Sequence, residues 1–492
     1  MARSLQRELD DCRPVEGRIM TSLAAVILAA GRGTRMRSKR PKVLQPVAGR
    51  PMILYARDLA EALGASPVVV VLGQQAAHVK TVLPPTGWQA VEQTEPLGTG
   101  HAMRQTEELL KDFPGDALVL HADVPLLQLD TLRRLVETHH RSGAVATVLT
   151  AIMEHPGRLG RVVREPAGRV ARIVEALDAT EAERAIREVN TGTYCFQARF
   201  LYPALQDLTA DNVKGEYYLT DVIGAACQAG FPVEAVQAED WREAVGVDSK
   251  ADLAMAEAIM RQRVLDRLMA EGVTILDPPS TYVHPQVRVG RDTVLYPNTY
   301  LLGNTVIGED CEIWPNTVIR DSTLEDRVVI LPSCVIAGST IASGSSVGPF
   351  AHLRPESVLR TGVRIGNFVE VKKSLLGEGS KASHLSYIGD VVMGKDVNVG
   401  AGFIACNYDG ERKNETVIED EVFIGSDSQI IAPLRIGKGA YIATGTTVRK
   451  EVPPHALVYN TKDQVHRDNW ALQRKPKARN EHGHAEPLQS ED

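Results

Sequence analysis

Cysteine is scarce, with six residues in 492. Cys12, Cys195, Cys227, Cys311, Cys334 and Cys406 stand far apart, no Cys-x-x-Cys occurs, and no histidine sits at zinc spacing, so neither a disulfide framework nor a structural zinc is expected. That usage fits a reducing cytoplasm. No apolar run approaches the roughly 18 residues of a membrane span, and residues 1–19 are charged, without the apolar centre of a secretory signal. An excess of basic charge is missing as well. Fifty-five Lys and Arg against 62 Asp and Glu leave a net charge of -7, which gives no general footprint for nucleic acid or acidic lipid, so any phosphate chemistry must be local. Aromatics are only 5%, yet 43% hydrophobic and 24% charged residues make a chain able to bury a large core. The length predicts two or three domains.

What is abundant is a rhythm. Val289, Leu295, Leu301, Ile307, Ile313 and Ile319 recur every six residues, and after a shift Val329, Val335, Ile341, Val347, Leu353, Leu359, Ile365 and Val371 keep the same step. Neither a helix nor an alternating strand has that period, whereas the hexapeptide repeat of a parallel β-helix does. Glycines such as Gly290, Gly308, Gly400 and Gly425 are expected at tight corners. Roughly ten coils of eighteen are predicted, with insertions at 320–328, 372–390 and 404–417. The first half alternates strand-like runs at 23–30, 68–72, 117–121, 145–151 and 233–236 with helical stretches at 52–63 and 132–140, which predicts βαβ units around a mostly parallel sheet. Between the halves, Ser249-x-x-Asp252 opens a helix that stops at Gly272. The expected division is an extension at 1–20, an α/β domain at 21–249, a linker helix at 250–272, a β-helix at 273–461 and a polar tail at 462–492, with a short helix around Trp470.

Directly after the first strand-like run stands Gly31-Arg-Gly33-Thr34-Arg35-Met36, then Pro41-Lys42. A glycine-rich strand-to-helix turn lets backbone N–H groups approach phosphate oxygens, with Arg35 and Lys42 adding charge. The third glycine of the dinucleotide fingerprint and the Gly-Lys-Ser/Thr ending of a P-loop are both absent, and a plain structural turn is the competing reading. Asp123 follows the strand at 117–121, where strand ends open onto the ligand crevice, and is a natural ligand for a hard divalent cation.

Leu28-Ala29-Ala30-Gly31-x-Gly33-Thr34-Arg35-Met36, Gln93 ahead of Leu97-Gly98-Thr99-Gly100-His101-Ala102, Asp123-x-Pro125-Leu126, and Gly215-Glu216-Tyr217-Tyr218-Leu219-Thr220-Asp221, followed by the hexapeptides, resemble the bifunctional N-acetylglucosamine-1-phosphate uridylyltransferases and glucosamine-1-phosphate N-acetyltransferases of bacterial cell-wall synthesis. The resemblance runs from about residue 23 to 470. It implies a Rossmann-like nucleotidyltransferase domain, a long linker helix and a left-handed β-helix that assembles as a homotrimer. It implies two reactions: acetyl transfer from acetyl-CoA to glucosamine 1-phosphate, then uridylyl transfer from UTP to N-acetylglucosamine 1-phosphate with release of pyrophosphate.

For the uridylyl half the resemblance implies Lys42 and Arg35 as charge stabilisers, Leu28, Ala29, Ala30, Gly31, Lys42, Gln93, Gly98 and Thr99 around the uridine nucleotide, Gly160, Glu175, Asn190 and Thr191 around the sugar, and Mg²⁺ on Asp123 and Asp248. The family has Asn where this chain has Asp248, which as a carboxylate is still a hard oxygen ligand; a helix cap is its alternative role. The family's Tyr-Gly before the metal Asp is His121-Ala122 here. For the acetyl half it implies His384 as the base that takes a proton from the amine, a role an imidazole can fill near neutrality. Glu370 is the expected partner that orients the imidazole. Arg354, Lys372, Tyr387 and Asn398 would hold glucosamine 1-phosphate, and Ala401, Asn407, Tyr408, Ser426, Thr444 and Thr461 would line acetyl-CoA. Thr444 replaces a common Ala, and Thr461 an Arg whose charge Lys462 would supply. Two rivals are a pyrophosphorylase whose β-helix only oligomerises, and a sugar-nucleotide sensor without turnover.

Overall fold

The computed structural model describes residues 22–461 and 463–473. The extension at 1–20, Cys12, Lys462 and the tail beyond residue 473 lie outside the described residues. The chain forms two compact units that divide between Gly344 and Ser345. No disulfide joins the described cysteines, and no described helix is long and apolar enough to cross a membrane.

The first unit opens with a sheet ordered Val233–Gln237, Ala146–Ile152, Glu188–Gln197, Asp116–His121, Leu23–Ala29, Val68–Leu72, Gln89–Glu92. Its central strands are unbroken aliphatic runs because both faces are covered. Helices Met52–Ala62 and Leu129–Ser142 bury Ile53, Ala56, Leu132 and Leu135 against one face. Ala198–Gln206 and Thr220–Gln228 bury Phe200, Leu201 and Val222 against the other. Glu188–Gln197 runs antiparallel to both neighbours. Sequence patterning misses it because Asn190-Thr191-Gly192 reads as a turn. The strand runs through those residues with a register shift between Asn190 and Tyr194, and Gly192 takes a φ of 82°.

The linker helix is Lys250–Ala270, with the expected capping box of Ser249 and Asp252 at its start. It does not hang free. Ala256 packs with Met36, Met52, Leu126 and Val247, and Arg263 Nη1 donates to Leu126 O at 2.6 Å.

From residue 274 the unit winds into short parallel strands on three walls, of which Thr274–Ile275, Val294–Leu295, Glu312–Ile313 and Val329–Ile330 form one. The second unit repeats the pattern, with Ser346–Val347, Arg364–Asn367, Lys381–His384, Asn398–Val399, Phe423–Ile424, Tyr441–Ile442 and Leu457–Val458 along one wall. The winding is that of a left-handed β-helix. The six-step aliphatics point inward: Leu301, Ile319, Leu353, Val371 and Ile430 are each 0% exposed. At about 1.5–3 kcal/mol per buried aliphatic, these columns are what holds each coil to the next.

Two of the three expected insertions are corrected. Ile319 pairs with Ile336 and Val371 with Ile388, seventeen residues on, where Leu301 pairs with Ile319, eighteen on. Those coils are one residue short, and a one-residue loss breaks a six-step phase as visibly as a gain. Only the third break is an insertion: Ala405 pairs with Ile430, twenty-five on. The reason for the corner glycines also changes. Gly290 and Gly425 are absent from the positive-φ positions, which fall on residues such as Asp292, Asn316 and Asp427. A Cβ on Gly290 would lie 2.6 Å from the Gly308 carbonyl, and one on Gly425 2.5 Å from Thr444 N. Glycine is required there by the backbone of the next coil, not by its own torsions.

Candidate functional site

In the first unit, Leu23–Ala29 and Asp116–His121 pair in parallel, with Leu28 opposite His121. Strand order reverses between them, so a crevice opens at their C-terminal ends. Whatever follows each strand meets there: the Gly31–Met36 turn from one, Asp123 from the other. Gly33 has a φ of 61°, and a Cβ on it would lie 2.6 Å from Lys42 Cβ. Gly33→Ala is therefore expected to destabilise the chain by about 1–2 kcal/mol from the left-handed backbone alone, and more from the collision, as read by chemical denaturation.

Lys42 is buried, and its Nζ donates to Asp123 Oδ2 and, at 2.9 Å, to Asp248 Oδ1. Arg35 Nη2 reaches Asp248 Oδ2 at 2.8 Å. Val247 N donates to Asp123 O at 2.9 Å, which brings Asp248 alongside. Burial alone would lower the Lys42 pKa, but the two carboxylates outweigh it and hold it above its ordinary value. Burial likewise pushes Asp123 up, while the Lys42 ammonium brings it below the usual carboxylate range. Asp248 is not the helix cap. Ser249 takes that role, its backbone N donating to Asp252 Oδ2 at 2.8 Å, and the Asp248 carboxylate is committed to Arg35 and Lys42. His121, half-buried and with its pKa lowered first by desolvation, stands 4.0 Å from Asp123.

No cluster of three or more His, Cys, Asp or Glu suited to a metal occurs among the described residues. Asp123 and Asp248 do converge, on the one ammonium of Lys42. Two carboxylates completed by substrate phosphate oxygens and water are a common Mg²⁺ set, so the donors fit a hard divalent cation.

Ala29, Ala30, Gly31, Lys42 and Gln93 line one cavity of about 140 Å³. Leu28 is buried beneath it in the strand. Gln93 Nε2 donates to Gly98 O at 3.0 Å. The Gly98–Gly100 turn is stitched to 217–219: Gly100 N donates to Tyr217 O at 2.8 Å, and Leu219 N to Thr99 Oγ1 at 3.0 Å. The residues expected around the sugar form a second cluster. Asn190 N donates to Gly160 O at 2.9 Å, Asn190 Nδ2 to Tyr194 at 2.6 Å, and Thr220 Oγ1 to Glu175 Oε1 at 3.2 Å. Burial raises the Glu175 pKa. Thr191 instead braces its own strand, donating to Leu149 O at 2.9 Å. Thr220 had no assigned role in the sequence reading, although it lay inside a quoted motif.

In the second unit His384 is exposed, on the outer surface of strand Lys381–His384. Its partner is not Glu370. Arg354 Nη1 holds Glu370 Oε1 at 2.8 Å, and His384 Nδ1 lies 2.9 Å from Asn367 Oδ1, the residue directly opposite on the neighbouring coil. An amide oxygen only accepts, so Nδ1 carries the proton and the lone pair of the neutral ring is left on Nε2. Glu370 is opposite Tyr387, and Lys372 opposite Gly389. The adjacent Lys413 ammonium pushes Lys372 below its ordinary pKa. Arg354, Lys372 and Lys413 thus concentrate positive charge near Tyr387. Asn407 Nδ2 donates to Asp390 Oδ2 at 2.5 Å and to Tyr387 at 3.3 Å, fixing the root of the inserted loop.

Ala401, Ser426 and Thr444 occupy the same corner of successive coils, since Asp427 N donates to Ala401 O at 2.7 Å and Gly445 N to Ser426 O at 2.9 Å. Tyr408 and Thr461 are exposed. Asn398 lies opposite Lys381. Asn367 and Lys413 were missed as site residues; Asn367 is seventeen residues from His384 in sequence and becomes its neighbour only through the seventeen-residue coil.

Residues 25–212 match the MobA-like NTP transferase domain, 278–408 the GMPPB C-terminal domain, and 415–450 the bacterial transferase hexapeptide (six repeats). The chain is 46% identical to the "Bifunctional protein GlmU" of Pelobacter propionicus over 93% of this chain and 100% of that one. It is 48% identical to the protein of the same name from Exiguobacterium sp. over 91% and 98%, and 48% identical to that of Shouchella clausii over 92% and 99%. With that identity across nearly the whole length of both chains, this protein belongs to the bifunctional GlmU family.

Proposed function

We propose that this chain is a bifunctional transferase of UDP-N-acetylglucosamine synthesis, acetylating glucosamine 1-phosphate from acetyl-CoA and then transferring uridylyl from UTP to N-acetylglucosamine 1-phosphate. The observation that carries the reading is the pair of separate constellations: a buried ammonium clamped between two carboxylates at the sheet's strand ends, and an exposed imidazole with a fixed tautomer on a β-helix wall. The expected domain limits, 21–249 and 273–461, assign one reaction to each.

In uridylyl transfer a phosphate oxygen of the sugar attacks the α-phosphorus of UTP, and the bond to the β-phosphate breaks to release pyrophosphate. Lys42 and Arg35 offset the repulsion of the two polyanions and the charge on the phosphoryl oxygens. A divalent cation held by Asp123 and Asp248 would add the same screening. Leu28 to Gly31, Gln93, Gly98 and Thr99 place the nucleotide, and Gly160, Glu175 and Asn190 place the sugar. Chelation is expected to silence this reaction and spare the other.

In acetyl transfer the amine must be neutral to attack the thioester. His384 Nε2 accepts its proton, the C–N bond forms, and the thiolate of coenzyme A leaves and is protonated. Arg354, Lys372, Tyr387 and Asn398 hold the sugar phosphate, with Lys413 added to that set by its position. Ala401, Asn407, Tyr408, Ser426, Thr444 and Thr461 line the donor. Asn367→Ala is expected to slow acetyl transfer about 3- to 10-fold, the worth of one neutral hydrogen bond, as measured by thiol release. A homotrimer in the cytoplasm completes the reading. Phe350 and Phe368, stacked at 5.4 Å and more than half exposed, are an apolar ridge suited to a second copy; a monomer by light scattering would contradict it. Thiol release and pyrophosphate release, each assayed alone, separate this proposal from a single-activity pyrophosphorylase and from a sensor.

A further inference from the structure

We infer that His101 is a positioning residue that sets base specificity: it holds the Gln93 carboxamide in the orientation that selects uridine over cytidine nucleotides. The inference rests on the proposal that Gln93 faces the base of UTP, and deepens it.

Gln93 is 6% exposed and lines the cavity shared with Gly31 and Lys42. Its backbone N is anchored to Leu72 O at 2.8 Å. Both protons of Nε2 are engaged, one by Gly98 O at 3.0 Å and one by His101 Nδ1 at 3.0 Å. A carbonyl only accepts, so Nε2, not Oε1, points to Gly98. His101 Nδ1 can accept only without a proton, which places the ring's proton on Nε2. Gln105 competes for the ring, its Nε2 lying 3.3 Å from His101 Nε2, but it already donates to His101 O at 3.0 Å. A neutral imidazole has one acceptor nitrogen, and the shorter contact to Gln93 takes it.

The support continues outward. His101 sits in helix Thr99–Arg104, its ring 6.4 Å from that of Tyr217. The Arg104 guanidinium lies 4.5 Å from the same Tyr217 ring, with its Nε on Leu205 O at 2.8 Å.

With both Nε2 protons used, Gln93 can offer the cavity only Oε1, and no hydrogen bond among the described residues takes that oxygen. An acceptor in that place meets the N3–H of uracil. Cytosine presents a lone pair at N3 and is repelled. Without the ring nitrogen, the second Nε2 proton is unmet, Gly98 O alone holds the carboxamide, and rotation lets a donor face the base.

The test is kcat/KM for UTP and for CTP, with N-acetylglucosamine 1-phosphate as acceptor, in the full chain and in His101→Asn, His101→Gln and Gln93→Ala. The Asn Oδ1 stands about where Nδ1 does, whereas the Gln acceptor lies farther out. His101→Asn is expected to keep the UTP:CTP ratio within about 3-fold, and His101→Gln to lower it about 10-fold or more, mainly through a higher KM for UTP. An unchanged ratio in His101→Gln, or a parallel loss with both nucleotides through kcat, overturns the inference. If Gln93→Ala leaves the KM for UTP unchanged, the base-facing reading of Gln93 fails with it. If that KM rises while His101→Gln keeps the ratio, the role of His101 alone is refuted.

Discussion

Replacing Lys42 with alanine is expected to slow uridylyl transfer by about 100-fold or more while leaving acetyl transfer within about 2-fold. Loss of one positioned charge stabiliser commonly costs that much. The structure adds a second cost. Lys42 Nζ is bonded to both Asp123 and Asp248, so its removal leaves two carboxylates facing an incoming triphosphate with Arg35 as the remaining side-chain cation bonded to them. If Lys42 acts on the transition state, kcat and kcat/KM fall together. The variant also changes the response to acid. Asp123 is held below the ordinary carboxylate value by Lys42, so it contributes stability that is present above about pH 4 and lost as pH falls through its lowered folded value. In Lys42→Ala that contribution disappears, and acid denaturation moves to higher pH.

Replacing His384 with alanine is expected to slow acetyl transfer by about 10²- to 10⁴-fold, the usual range for a general base, with uridylyl transfer unchanged. The Nδ1–H donated to Asn367 leaves Nε2 as the basic nitrogen, and the side chain stands outside the coil where a sugar amine can reach it. Thiol release from acetyl-CoA and pyrophosphate release from UTP, each measured in the variant and the wild type, check both halves of that expectation. The contrast with Asn367→Ala is informative: the base carries the chemistry, and the amide only aims it.

Much of this was legible before any coordinates. Aliphatics at step six have one architectural meaning, and Ser249 with Asp252 marked the helix start to the residue. Lys42, Asp123 and Asp248 were each nameable, and their convergence follows from the strand-order reversal beside Leu23–Ala29. What stayed hidden depended on register. Pairing of His384 with Asn367 rather than Glu370 follows from a coil of seventeen, and a coil one residue short looks in sequence like one too long. The strand Glu188–Gln197 was hidden by its own bulge, since Asn-Thr-Gly has turn chemistry in either setting. Gly290 and Gly425 were read as flexible corners, whereas the constraint comes from a coil that sequence proximity does not reveal.

Separate housing of the two reactions makes a single decisive mixture. Lys42→Ala and His384→Ala chains, each supplied with glucosamine 1-phosphate, acetyl-CoA, UTP and Mg²⁺, should each fail to make UDP-N-acetylglucosamine at an appreciable rate. Combined, they should make it, because the acetylated sugar phosphate released by the first is the acceptor used by the second. Product from either chain alone at the wild-type rate, or a mixture as silent as its parts, would contradict two independent sites.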